Sequence, residues 1–176
     1  TALAQGGVAS VFSKLDSFEM HIQDTLASGD GLCNKDVAKM VVENGPRRIK
    51  ELVEQATTVR EKAYAPYSNY QVGAALRTES GKVFTGCNVE NASYPIGICA
   101  ERAALVKAVS EGEQDFDTIV VVTSNGGSPC GMCRQMLYEF APELRVVIAD
   151  TEGKIHLDVS LDELLAHGFS PQKLDN

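Results

Sequence analysis

No stretch of this sequence approaches the ~18 consecutive apolar residues that a membrane span requires, and no signal-peptide pattern opens it. Basic residues are in deficit: 16 Lys and Arg stand against 24 Asp and Glu, a formal charge of −8 at pH 7. A chain of that sign repels phosphate backbones, so neither a nucleic acid nor a membrane is expected as a partner. No G-x-G-x-x-G follows a strand pattern, so no flavin or dinucleotide is expected as a cofactor. The cysteines are few and odd in number, five at 33, 87, 99, 130 and 133. Without a secretion signal, that usage excludes a disulfide framework and points to a reducing, cytoplasmic setting with a metal or redox site. Internal repeats and low-complexity tracts are missing too. What remains is a chain of 176 residues, 44 % hydrophobic and 23 % charged, the profile of one soluble globular domain, or one domain with an appendage. A small, weakly charged ligand suits it best.

Hydrophobic patterning predicts strands at Val72–Leu76 and from Val83, around a hairpin turn at Glu79–Lys82. Further strands are expected over Thr118–Thr123 and Val146–Ala149, the first buried on both faces. Helices are expected from Cys99 to before Gly112, over about Gly131–Phe140, and over Leu161–Ala166. Upstream, Asp16–Ala27 has helical spacing, Asn34 suits the cap of a helix reaching Asn44, and Pro46 suits the first position of another running toward Tyr64. The alternation of strands and helices indicates an α/β sheet with right-handed crossovers. Such crossovers start successive helices at one edge of the sheet, where the Cys99 and Cys130 helices would converge.

The chemistry resides in Cys99-Ala100-Glu101 and Pro129-Cys130-Gly131-Met132-Cys133. Three thiolates give Zn²⁺ three soft ligands and leave a fourth tetrahedral position open, the pattern of a catalytic rather than a structural zinc. All three cysteines fall at or near helix N-termini, where the dipole favours thiolate over thiol. Glu101, two residues after Cys99, stands close enough to reach a water in the open position. Three thiolates around one Zn²⁺ leave a net negative charge, and Arg102 is the candidate for compensating it. A bare C-x-x-C also serves structural and redox sites, and Cys87 as a fourth ligand would close this one; its place in a strand favours a plain thiol. Cys33 lies outside the motif, and His21, His156 and His167 are read as surface or core filler.

Four blocks in order then carry a resemblance: Ala65-Pro66-Tyr67-Ser68-Asn69-Tyr70 through Leu76, Gly86-Cys87-Asn88-Val89-Glu90-Asn91 through Tyr94, Cys99 through Ala104, and Ser128 through Gln135. From about residue 54 onward the chain resembles the short cytidine deaminases of pyrimidine salvage, and Cys99 as first ligand resembles their homotetrameric branch. The zinc-deaminase arrangement has His or Cys, then x-Glu, then P-C-x-x-C, and the proton-carrying role of Glu101 is what this resemblance implies. The resemblance implies a three-layer fold, with a mixed sheet of about five strands and helices on both faces. It implies one Zn²⁺ per subunit and a homotetramer with shared active sites. It also implies that Asn88 and Glu90 bind ribose hydroxyls and that Ala100 touches the base through its backbone. Tyr94 and Phe169 would complete a neighbouring subunit's site. Tyr70 stands where the family usually has a Phe packed on the pyrimidine.

Ala4–Val11 and His21–Cys33 resemble instead an internal stretch of L-aspartate oxidase. The expected organisation is therefore a helical appendage over 1–46, joined as a chimera to a deaminase domain over 47–176. The expected activity is hydrolysis of cytidine and 2′-deoxycytidine to the uridine products and ammonia. A deaminase of a related nucleoside, a non-catalytic zinc-stabilised binding module and a flavoprotein remnant remain as alternatives.

Overall fold

The structure, a computed structural model, describes residues 17–170. Ala4–Val11 and Asp16 lie outside them. The chain divides into two compact units, 1–51 and 52–176.

In the first unit, helix α1 (Phe18–Ser28) starts where the Ser17 hydroxyl accepts from the Met20 amide at 3.2 Å. Asn34 caps helix α2 (Lys35–Arg60), its side-chain oxygen accepting from the Asp36 and Val37 amides at 2.9 and 3.2 Å. The expected break at Pro46 is corrected: α2 runs through it. Proline removes one backbone donor and crowds one carbonyl, at a cost of ~3 kcal/mol. Buried Ala38, Val42, Ile49, Leu52, Val53 and Ala56 keep the 3.6-residue spacing on both sides of it, so the apolar stripe outweighs that cost.

The second unit holds a five-stranded mixed sheet in the order β2-β1-β3-β4-β5. Strands β1 (Gly73–Thr78) and β2 (Val83–Cys87) form the expected hairpin. Strand β3 (Phe116–Thr123) pairs antiparallel with β1 and parallel with β4 (Arg145–Asp150). Strand β5 (Ile155–Ser160) closes the far edge and has no counterpart among the expected strands. Its alternating burial, with His156 and Asp158 exposed, is the pattern of a one-sided edge strand. Helices α3 (Ala100–Ser110), α4 (Gly131–Tyr138) and α5 (Leu161–Leu164) complete the unit, the last two shorter than expected.

Both sheet faces are covered. Ala74, Gly86 and Val121 share one face by register, and α3 lies there so closely that a Cβ on Gly86 would come within 2.5 Å of the Ala100 carbonyl and 2.4 Å of the Ala104 nitrogen. On the other face a Cβ on Gly73 would meet the Ala56 carbonyl at 2.0 Å, in the C-terminal part of α2 that belongs to the second unit. The expected three layers are present. Leu76, Ile119, Val121, Val146 and Ile148 form the core with Ala104, Leu105, Leu137 and Leu161, each larger aliphatic side chain contributing roughly 1.5–3 kcal/mol by its burial.

Strands β2 and β3 run in the same direction, since each is antiparallel to β1. Helix α3 follows β2 and α4 follows β3, so both start at the same edge of the sheet.

Candidate active site

Cys99 is the N-cap of α3 and Cys130 the N-cap of α4, both with extended backbone. Cys133 is then the third residue of α4, and the N-cap and third positions of a helix face one another across its first turn. The C-x-x-C spacing therefore brings the Cys130 and Cys133 sulfurs to 3.4 Å. Convergence of the two helix starts brings Cys99 Sγ to 3.9 Å from Cys130 Sγ. All three sulfurs lie within 4.8 Å of one another. Sulfurs around one zinc at about 2.3 Å stand about 3.8 Å apart in a tetrahedron, so the donor set and its spacing fit that ion. Cys87 is not in the cluster, and among the described residues no fourth metal-binding side chain joins it. Cys33 is an exposed free thiol.

Electrostatics follow from the same contacts. A hydrogen bond from the Cys133 thiol, aided by the Arg102 guanidinium, holds Cys99 down at about 5 against the opposing effect of burial. Cys133 moves the other way, pushed up by its bond to Cys99 and by burial. Arg102 donates from one terminal nitrogen to Cys99 Sγ at 3.7 Å and to the Gly97 carbonyl at 3.1 Å. Its Nε is buried without a hydrogen-bond partner. Glu101, the second residue of α3, is only 4 % exposed. Burial raises its carboxyl above the ordinary value, and the Cys99 thiolate adds to that. A carboxyl so placed takes up and releases a proton more readily near neutral pH than an exposed one does.

The remaining candidates divide into two groups. Glu90 accepts from the Tyr67 amide at 2.9 Å, from the Ser68 amide at 3.2 Å and from the Ser68 hydroxyl, and the hydroxyl above all holds its carboxyl low. Buried Asn88 donates to the Tyr70 carbonyl at 2.9 Å and accepts from the Val72 amide at 2.8 Å. Most of its hydrogen-bonding capacity thus serves the loop that carries Tyr70. The Tyr70 hydroxyl donates to Asn125 Oδ1 at 2.6 Å, and Ala100 is fully buried. Tyr94 and Phe169 are exposed, at 75 % and 53 %. Tyr94 meets Tyr67 edge to face with centroids 5.8 Å apart, and the Phe169 carbonyl accepts from Gln135 at 2.8 Å. A cleft of about 350 Å³ is lined by Tyr67, Ser68, Glu90, Asn91, Tyr94 and Gly97. It brings Glu90 and Tyr94 together, without the thiolates or Glu101 in its lining.

Two contributors escaped the sequence reading. Arg134 donates to the Pro129 carbonyl at 2.8 Å, the Ser128 hydroxyl at 2.9 Å and the Leu164 carbonyl at 2.7 Å, clamping the loop before Cys130 to α5. Its signal was its place beside the C-x-x-C. Asn125 sits in a Gly- and Ser-rich loop that reads as a mere connector. His156, read as filler, pairs with Asp150 at 2.7 Å.

Residues 46–149 match the family model for the cytidine and deoxycytidylate deaminase zinc-binding region. A cytidine deaminase of Halalkalibacterium halodurans is 43 % identical over 128 residues, covering 71 % of this chain and 96 % of that protein. One from Sporosarcina psychrophila is 40 % identical over 129 residues, covering 72 % and 94 %. Among solved structures, the cytidine deaminase of Burkholderia pseudomallei superposes with a TM-score of 0.65 at 49 % identity, over 68 % of this chain and 97 % of that one.

Proposed function

The chain belongs to the cytidine deaminase family that carries this zinc-binding region, and we infer from that premise that it hydrolyses cytidine and 2′-deoxycytidine to uridine and 2′-deoxyuridine with release of ammonia. The observation that carries this is the three-sulfur cluster with buried Glu101 at the start of α3. Cys99, Cys130 and Cys133 would hold one Zn²⁺ per subunit. The ion, when bound, supplies a Lewis acid that makes a water nucleophilic near neutral pH. Glu101 accepts a proton from the attacking water and hands it to the ring nitrogen beside the amino-bearing carbon. It then carries the second proton from the hydroxyl now bonded to that carbon to the amino group, and the C–N bond breaks as that oxygen becomes the carbonyl, so one water is consumed for each ammonia released. Arg102 offsets the negative charge of the thiolates. Glu90 and Asn88 hold the ribose side and Tyr70 faces the base.

The active unit is a homotetramer with shared sites. Supporting this, Tyr94, Ile96, Met132 and Phe169 are large, apolar and exposed, as residues kept for a partner's surface are. Free cysteines suit a reducing, cytoplasmic setting and a role in pyrimidine salvage. Residues 1–46 are an appendage that resembles L-aspartate oxidase, the product of a chimeric join, and the family match beginning at residue 46 supports that division. A zinc-stabilised module without turnover would want a filled fourth ligand, which no described residue supplies.

The test is ammonia release and loss of cytidine absorbance by zinc-loaded protein given cytidine, 2′-deoxycytidine and cytosine. Turnover of both nucleosides and not of the free base is expected, and chelation should abolish it. Zinc-replete protein inert toward both nucleosides would refute the proposal.

A further inference from the structure

By the family resemblance Tyr70 stands where a Phe is usual, and its added hydroxyl needs a partner. The structure supplies one from a loop that the chemistry leaves unassigned. The Tyr70 hydroxyl donates to Asn125 Oδ1 at 2.6 Å, across 55 residues of sequence. The Thr123 hydroxyl also donates to Asn125 Oδ1, at 3.3 Å, and itself accepts from the Gly127 amide at 2.6 Å. Gly127 is an open notch for the phenol: a Cβ there would stand 2.3 Å from the Tyr70 hydroxyl oxygen. This loop, 124–129, leads directly from β3 to Cys130.

The other end of Tyr70 is held as well. Its amide donates to the Ser68 hydroxyl at 3.0 Å, and its carbonyl accepts from Asn88 at 2.9 Å. Ser68 and Asn88 are tied in turn to Glu90 and Val72. A phenol has one hydroxyl hydrogen to give. With that hydrogen on Asn125, the hydroxyl has none left to donate to a ligand, so its effect is to orient the ring.

We propose that Asn125 is a positioning residue: with the Tyr70 hydroxyl it forms a latch that sets the aromatic ring against the pyrimidine and couples it to the loop presenting Cys130. A Phe at this position would rely on packing alone. The inference rests on the reading that Tyr70 faces the base. It assigns to Asn125 and the Gly127 notch a role in nucleoside affinity.

A double-mutant cycle on the zinc-loaded full chain tests it, with Tyr70→Phe, Asn125→Leu and the pair. A neutral hydrogen bond has a net worth of about three- to ten-fold in an equilibrium constant. Each single variant should therefore raise KM for cytidine about three- to ten-fold with kcat nearly unchanged and zinc retained, and the pair should be no worse than either. Additive effects would overturn the latch. So would a parental KM in Asn125→Leu beside a raised one in Tyr70→Phe, because the hydroxyl would then be acting on the ligand. A second measurement is independent of turnover: hydrogen exchange of the Gly127 amide in substrate-free, zinc-loaded protein should speed up about equally in both single variants. Unchanged exchange overturns the latch even if the chain deaminates no nucleoside, so the two failures are separable.

Discussion

Cys99 and Cys133 differ in proton affinity because one donates and the other accepts. Cys99 is held near 5, because the Cys133 thiol donates a hydrogen bond to its sulfur and the cationic Arg102 lies beside it. A metal site formed from thiols must displace their protons, so a depressed thiol competes better for the ion. Removing the guanidinium should raise Cys99 toward its usual value and let protons compete. Arg102→Gln should therefore begin to lose zinc at a higher pH than the parent as pH falls, and chelator competition across pH would measure it. An unchanged release profile would make Arg102 a structural residue. At this scale the three-cysteine cluster and Glu101, which is buried at a helix start, were legible, because two short motifs carry them. Arg134 and Asn125 were not, since their roles rest on carbonyls and hydroxyls that only the folded loop brings near. Asn88 was singled out through the family resemblance, whereas its internal bonds to Tyr70 and Val72 had no signal in the sequence.

Among the elements, the placement of α3 decides where Cys99 and Glu101 stand. Its Ala100, Ala104 and Ala108 are fully buried, and Gly86 of β2 leaves no room for another carbon beneath the helix. The atoms in the way are backbone, so they yield only if the helix moves. Gly86→Ala should cost about 1–3 kcal/mol in denaturant unfolding, with weaker zinc binding than the parent. A variant as stable as the parent, with unchanged zinc affinity, would show that α3 is not held by this contact. The hairpin β1–β2 and the helices after Cys99 and Cys130 were legible from turn residues and small-residue runs. Strand β5 was not, because a half-exposed edge strand holding His156 and Asp158 has little apolar signal. The continuity of α2 was hidden by Pro46, whose local preference lost to the apolar stripe on either side.

For the whole molecule, charge and composition point to a small ligand; no described helix is long and apolar enough to cross a membrane. The meeting of two helix starts followed from strand alternation, whereas the strand order β2-β1-β3-β4-β5 was not legible, because alternation along a chain does not say which strands become neighbours. The homotetramer is an expectation of the family resemblance alone, since an exposed apolar residue has no distinctive pattern in one sequence. Ile96 is 68 % exposed beside Tyr94, and burial of both in a neighbour would explain them. Sedimentation should give a tetramer for the parent. Ile96→Asp should shift it toward smaller species and raise KM, because a charge in an apolar contact lacks a partner. A parent that sediments as a monomer at full activity would remove the shared-site proposal.

The central claim, that three thiolates hold the zinc while Glu101 moves the protons, is tested most directly by Glu101→Gln in zinc-loaded protein. The amide keeps the size and polarity of the carboxyl and cannot accept the proton. Steady-state deamination of cytidine, measured beside zinc content, should fall by at least ~10²–10⁴-fold, the range for an essential general acid–base group, with the metal still bound. A loss of only a few-fold with zinc retained would contradict the account and place the proton carrier elsewhere.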